Sequence, residues 1–241
     1  MGYMEKLIKG KVTKNITNSK FDEKTRTVNE SISDYDIFIK CITRAENLIS
    51  FSRCIDKKEC LDSSLKDKIY DCYRASVVLA ISALDAFIRQ TILHKVLGEL
   101  FKTNKKLSDK LKKYIIDRIK IENCIDEIRS GNFFKHIEKE ILTDLATPFQ
   151  NHEKITRYFD ICGYKNIFNN IAKKINKHKD NVIDKFEKYT YRRHTIVHSG
   201  DYNTEQTEYK ENEITLDYAK DCISFIKQIA KEIKEITENK K

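Results

Sequence analysis

The segment Arg192-Arg193-His194-Thr195-Ile196-Val197-His198 is the densest set of reactive side chains in the chain, with two of its six histidines four residues apart. On an α-helix, at about 100° per residue, that spacing puts His194 and His198 on one face. Arg193 precedes His198 by five positions, about 140° around the axis. The two can meet only where long side chains converge on a groove beside the helix. Histidine titrates near neutrality and suits proton transfer, worth typically ~10²–10⁴ in rate. Arginine keeps its charge, and its planar fork matches two oxygens of a phosphoryl group. Arginine with histidine, and no carboxylate cluster, points to phosphodiester chemistry without metal or cofactor. RNA brings its own nucleophile, the 2′-OH, so the protein need supply only a base, an acid and a positive clamp. His198 falls in the last helical turn, where unpaired carbonyls favour a cation.

The same Arg-x4-His spacing occurs at Arg89-Gln90-Thr91-Ile92-Leu93-His94. With ten arginines and six histidines, chance supplies such a match in about one chain in four, so context must decide. The later copy has a doubled arginine, a second histidine and a glycine-terminated helix end that leaves His198 near solvent. The earlier copy lies inside a long helix beside an uncharged run. His194 and His198 also form HxxxH, but Thr195 stands where a zinc protease carries glutamate, and no third ligand accompanies them; no metal is assigned. Two structural readings compete with the chemical one: Arg193 paired with a buried Asp85, and His198 as a plain helix-end cation. Tyr189 and Tyr191 have the chemistry to stack on bases, although aromatics at this spacing are more often core. His178, among lysines, reads as surface.

The elements that must hold these groups are helical. The chain has 241 residues, 40% hydrophobic and 34% charged, with one proline and six glycines, which excludes a collagen-like, Pro-rich or turn-dense β architecture. Residues 1–30 are polar and aperiodic and read as an N-terminal arm; residues 31–241 read as a single all-α domain, a bundle of long helices with short insert helices. Ser33 or Asp34 caps a helix with Phe38, Ile42, Ala45, Leu48 and Ile49 at periods of three and four. A second helix runs from Ser63 or Ser64 to about Phe101. Its stretch Ala75 to Leu84 carries no charge and many small residues, as expected for a helix surrounded by others. Asp85 and Arg89 follow at ion-pair spacing and support either the fold or the site.

Residues 102–120 hold eight basic side chains against Asp109 and Asp117, with Leu107, Leu111, Ile115 and Ile119 at helical period. Shorter helices are expected at 132–146 and 151–159, separated by Pro148. Asn166 is expected to cap a helix whose other side is crowded by Lys173, Lys174, Lys177 and Lys179. The motif helix, Val182 to His198, should face the core with Val182, Ile183, Phe186, Tyr189, Ile196 and Val197, and Gly200 should end it at φ > 0. A polar loop, 204–213, and a closing helix marked by Ala219, Cys222, Ile223, Ile226, Ala230 and Ile233 complete the chain.

Seven cysteines, an odd number, and no apolar h-region in residues 1–30 predict reduced, mostly buried thiols in a cytoplasmic protein. No apolar run approaches the ~20 residues of a membrane span. A formal charge of +9 favours a polyanionic partner.

Arg192-Arg193-His194-Thr195-Ile196-Val197-His198-Ser199-Gly200-Asp201 resembles the motif of the HEPN superfamily: Arg, a polar residue, three variable residues, then His. The doubled arginine, Ile-Val-His and the following Asp are similar to the RiboL-PSP-type branch. The segment Tyr73-Arg74-Ala75-Ser76-Val77-Val78-Leu79-Ala80-Ile81-Ser82-Ala83-Leu84-Asp85-Ala86-Phe87-Ile88 resembles that branch's first core helix. The resemblance implies a helical bundle acting as a homodimer, with the motif helices of both subunits lining one cleft. It implies a metal-independent endoribonuclease leaving a 2′,3′-cyclic phosphate and a 5′-hydroxyl, and often a toxin or phage-defence effector restrained by an antitoxin or other regulatory protein. By position, Arg193 is then the phosphate clamp, His198 the acid or base, and His194 the variable polar residue. Arg192, Lys173, Lys174 and Lys177 are expected to contact RNA. The competing reading is a non-catalytic helical module that binds RNA, a nucleotide or a protein partner.

Overall fold

Apolar side chains recurring every three to four residues produce helices throughout the computed structural model, which describes residues 33–56, 63–100, 106–118, 121–203 and 210–238. Residues from Asp34 onward cluster as one unit. The expected arm, 1–30, lies outside the described residues, as does the loop segment 204–209. The core is built by α1 (Asp34–Asp56), α2 (Ser63–Leu100), α8 (Lys179–Ser199) and α9 (Leu216–Glu238). The short helices between them are α3 (Asp109–Arg118), α4 (Ile121–Arg129), α5 (Phe133–Asp144), α6 (His152–Ile161) and α7 (Ile167–Lys174).

Helices α1 and α2 are antiparallel: Asp34 bonds His94 at one end, and Ser52 lies beside Tyr73 near the other. Small residues permit this closeness. Ser76, Ala80 and Ala83 are buried within α2, beside Val77, Ile81 and Leu84. By length and composition α2 would also suit a bilayer, which corrects the expectation that no apolar run approaches that size; 61% of its apolar window is buried inside the protein. Helix α9 runs parallel to α2, since Lys95 Nζ donates to the Thr237 carbonyl at 2.9 Å while Arg74 donates to the Asn212 carbonyl, just before α9, at 3.1 Å. Its buried face includes the six residues anticipated, plus Phe225 and Ile229.

The insert helices depart more from expectation. Helix α4 was not anticipated, and its apolar Ile125 and Ile128 are exposed. Asn166 does occupy the position before α7, but in a left-handed conformation (φ 55) with no side-chain cap. A true cap stands at Asn151, whose side chain accepts from the Glu153 and Lys154 N–H groups and satisfies two of the donors a helix start leaves open. The polar stretch after α8 contains a small antiparallel pair, β1 (Tyr202–Asn203) with β2 (Lys210–Glu211). The six described cysteines are thiols, two buried, three half-buried and one exposed. That corrects the expectation of mostly buried thiols.

Candidate active site

Helix α8 is fixed by a stripe at helical period: Val182, Ile183, Phe186, Tyr189 and Thr190 are buried. The next place in that stripe is Arg193, followed by a partly buried Ile196 packed on the core. A charged residue therefore sits where the periodicity asks for an apolar one. Its Nε is buried with no hydrogen-bond partner, as are those of Arg89 and Arg192, but unlike theirs its guanidinium is engaged by no ion pair among the described residues. Orphaned buried donors are rare and call for an explanation.

His194 and His198 are exposed on the neighbouring face, with ring centroids 4.4 Å apart and planes tilted by 39°. Around them lie Tyr191, 70% exposed, Val197, 47%, and Tyr202, 43%. Val197 was expected in the core; it points outward because it follows Ile196 by one residue, about 100° around the helix. Tyr189 and Tyr191 are divided in the same way. Tyr189 is buried, donates its hydroxyl to Asp221 and meets Tyr218 edge-on at 5.3 Å, whereas Tyr191 is open to a ligand. Burial and the Asp221 carboxylate push the Tyr189 hydroxyl's pKa well above the usual tyrosine value.

Gly200 ends α8 at φ 60, and Asp201 follows at φ 67. The Asp201 N–H donates back to the Thr195 carbonyl at 3.1 Å, which turns the chain sharply after His198. The Asp201 side chain is fully buried. Its Oδ2 accepts from Arg74 Nε and from Arg192 Nη2, each at 2.8 Å. Arg192 Nη2 also meets the carbonyls of Asn212 and Glu213 at 3.2 and 2.9 Å. Burial by itself would lower the Arg74 pKa, but Asp201, Glu211 and Asp71 outweigh it and raise the value.

The two adjacent arginines thus have different surroundings: Arg192, expected at RNA, is bound to its own chain, and Arg193 is not. Arg74 and Asp201 carry this arrangement, and no role was drawn for them from sequence although both stand in the segments quoted above. Their long separation along the chain hides the pairing.

The remaining expected residues lie elsewhere. Asp85 pairs with Arg89 at 3.0 Å and accepts from the Phe149 N–H, holding the insert to α2 and forming neither a hydrogen bond nor an ion pair with Arg193. In the 89–94 copy of the spacing, Arg89 is spent on Asp85 and His94 contacts Asp34 at 2.7 Å. Lys174 pairs with Glu235 and Glu232 at 2.5 and 3.5 Å. Glu235 is about 28 Å along α9 from its first residue, at 1.5 Å per residue, far from the turn that Arg192 holds. Lys173 and Lys177 are exposed. Among the described residues, no group of three His, Cys, Asp or Glu side chains converges as a metal site. A cleft of about 610 Å³ borders the Asp201 network at Arg74, Asn212 and Glu213, but neither Arg193 nor His198 lines it. The histidines stand on an open face.

A family model described as RiboL-PSP-HEPN matches residues 39–239, from within α1 to the end of α9. No curated protein and no solved structure matches the chain.

Proposed function

Because the chain belongs to the RiboL-PSP-HEPN family, whose domains have nuclease- and RNA-related roles, we propose that it is an endoribonuclease acting without a metal. Arg193 holds the non-bridging oxygens of the scissile phosphate. One imidazole of the His194/His198 set removes the proton of the ribose 2′-OH; the 2′-oxygen bonds to phosphorus as the bond to the 5′-oxygen breaks. A second imidazole gives its proton to that leaving oxygen. The products are a 2′,3′-cyclic phosphate and a 5′-hydroxyl.

One observation carries the reading. The histidines of both copies are exposed, but of the two Arg-x4-His copies only the one at 193–198 keeps its arginine and histidines out of ion pairs among the described residues, while the other spends Arg89 on Asp85 and His94 on Asp34. A guanidinium with no internal carboxylate partner keeps its charge and its fork for an incoming phosphate. The open face also supports a homodimer, in which a second copy covers Tyr191, Val197 and Tyr202 and supplies the opposite wall of the cleft. The same reading makes the protein a cytoplasmic toxin or phage-defence effector restrained by an antitoxin or regulatory partner.

The test is cleavage of a mixed RNA pool in EDTA by wild type, Arg193→Ala, His198→Ala and His94→Ala. Loss in the first two variants, with His94→Ala active, is the expected pattern. Loss in His94→Ala alone, with its fold intact, would move the site to α2. An inert wild type would favour the non-catalytic binding module.

A further inference from the structure

Three separate segments meet on one carboxylate three residues after His198. Asp201 joins Arg74 of α2, Arg192 of α8 and, through its backbone carbonyl, both the N–H and side-chain amide of Asn212, each at 2.8 Å. Its left-handed backbone is uncommon for a residue other than glycine and persists only where the surroundings over-determine it. Because Asp201 also bonds Thr195, this anchor acts on the same helical turn that presents His198.

We propose that Asp201, working through Arg74 and Arg192, is a positioning residue for the ribonuclease reaction, and that Arg192 serves this clamp and not the substrate. The proposal rests on the ribonuclease reading above. Arg192 Nη2 is shared by a buried carboxylate and two carbonyls, and its guanidinium lies 5.7 Å from the Tyr218 ring centroid. Turning it toward a phosphate would take from the buried Asp201 carboxylate one of its two guanidinium partners. Arg193 carries no such obligation. The doubled arginine is therefore split: one holds the helix end, its neighbour holds the phosphate. A displacement of about 1 Å at a reacting group costs about 10²-fold in rate, which sets the expected size of the effect.

Asp201→Asn keeps the shape, and asparagine tolerates the left-handed backbone; Arg192→Gln gives a second route to the same lesion. For each, kcat, KM, the salt dependence of RNA affinity and amide hydrogen exchange over residues 195–203 are measured. Both variants should lose about 10²-fold in kcat with KM and the salt slope of wild type, and exchange should quicken over 195–203. Arg193→Gln, by contrast, should reduce the slope of log affinity against log salt by about 0.7, the value of one phosphate contact on a single strand. A folded Asp201→Asn or Arg192→Gln enzyme with wild-type kcat overturns the clamp, and a reduced salt slope in Arg192→Gln makes that residue a phosphate ligand instead. Should wild type cleave no RNA, the ribonuclease reading falls by itself, and hydrogen exchange then judges the clamp: local quickening upholds it as an anchor of the α8 end, and unchanged exchange overturns it.

Discussion

A guanidinium serves a substrate only with donors its own protein has not already used. Arg74 and Arg192 are bound to Asp201, Arg89 to Asp85 and Arg118 to Asp144; Arg193 stands apart from this group. Arg193→Ala should lower kcat/KM by about 10²–10³-fold, the loss typical of removing one transition-state donor. Arg193→Lys should recover only part of it, because an ammonium keeps the charge but not the fork. Initial rates on a short RNA check both, and an Arg193→Ala enzyme within a factor of two of wild type would contradict the assignment. The helix end that presents His198 was legible in the sequence, because Gly200 marks where the helix stops. The division of labour between Arg192 and Arg193 was not. Adjacent identical residues differ only by about 100° of helical rotation, and the partner that separates them, Arg74, lies on a different helix.

At the scale of elements, the insert is tied together by one carboxylate. Asp144, at the end of α5, accepts from Tyr114 and Arg118 of α3, at 2.9 and 2.8 Å, and from Tyr158 of α6 at 2.5 Å. Burial alone would raise its pKa, but these bonds outweigh burial and hold the carboxyl below its ordinary range. A folded-state value below the unfolded one stabilises above about pH 4, the unfolded carboxylate's range, and the gain is lost as pH falls through the lower folded value. Asp144→Asn should therefore cost about 1–3 kcal/mol at neutral pH, measured by urea unfolding. The gap to wild type should narrow progressively as pH falls below about 4; a gap independent of pH would contradict the linkage. Gly200→Ala is the matching test at the motif: at φ +60 the new Cβ meets only the Tyr202 ring, at 3.6 Å, so the cost is backbone strain of about 1–2 kcal/mol. Long helices were readable because burial follows their period, as in α9. Helix α4 was not, since its exposed Ile125 and Ile128 break the link between apolar residue and core.

Over the whole molecule, the net charge is +9, yet several described cations are already paired within the chain. Lys110 pairs with Asp160, Arg118 with Asp144, and Lys174 with Glu232 and Glu235. Whether a lysine faces an anionic ligand or its own chain's glutamates is a tertiary fact, so the basic helices could be found in the sequence but not their pairing. The exposed Lys173 and Lys177 remain suited to long-range attraction. Replacing both with alanine should weaken RNA binding and flatten its salt dependence while leaving kcat unchanged; titrations between 50 and 200 mM salt check this. The exposed Tyr191, Val197 and Tyr202 lead to a further prediction. Val197→Asp should shift the protein to monomer in light scattering and abolish cleavage, whereas an active monomer would contradict a cleft built from two subunits.

The central claim, cleavage by the ribose's own hydroxyl under Arg193 and His198, meets its most direct test in a DNA oligonucleotide carrying one ribonucleotide, incubated in EDTA with end-group analysis of the products. The account predicts a single cut on the 3′ side of the ribose, leaving a 2′,3′-cyclic phosphate and a 5′-hydroxyl, slowed ~10²–10⁴-fold by His198→Ala. Cleavage at deoxyribose positions, or products bearing a 5′-phosphate, would contradict it.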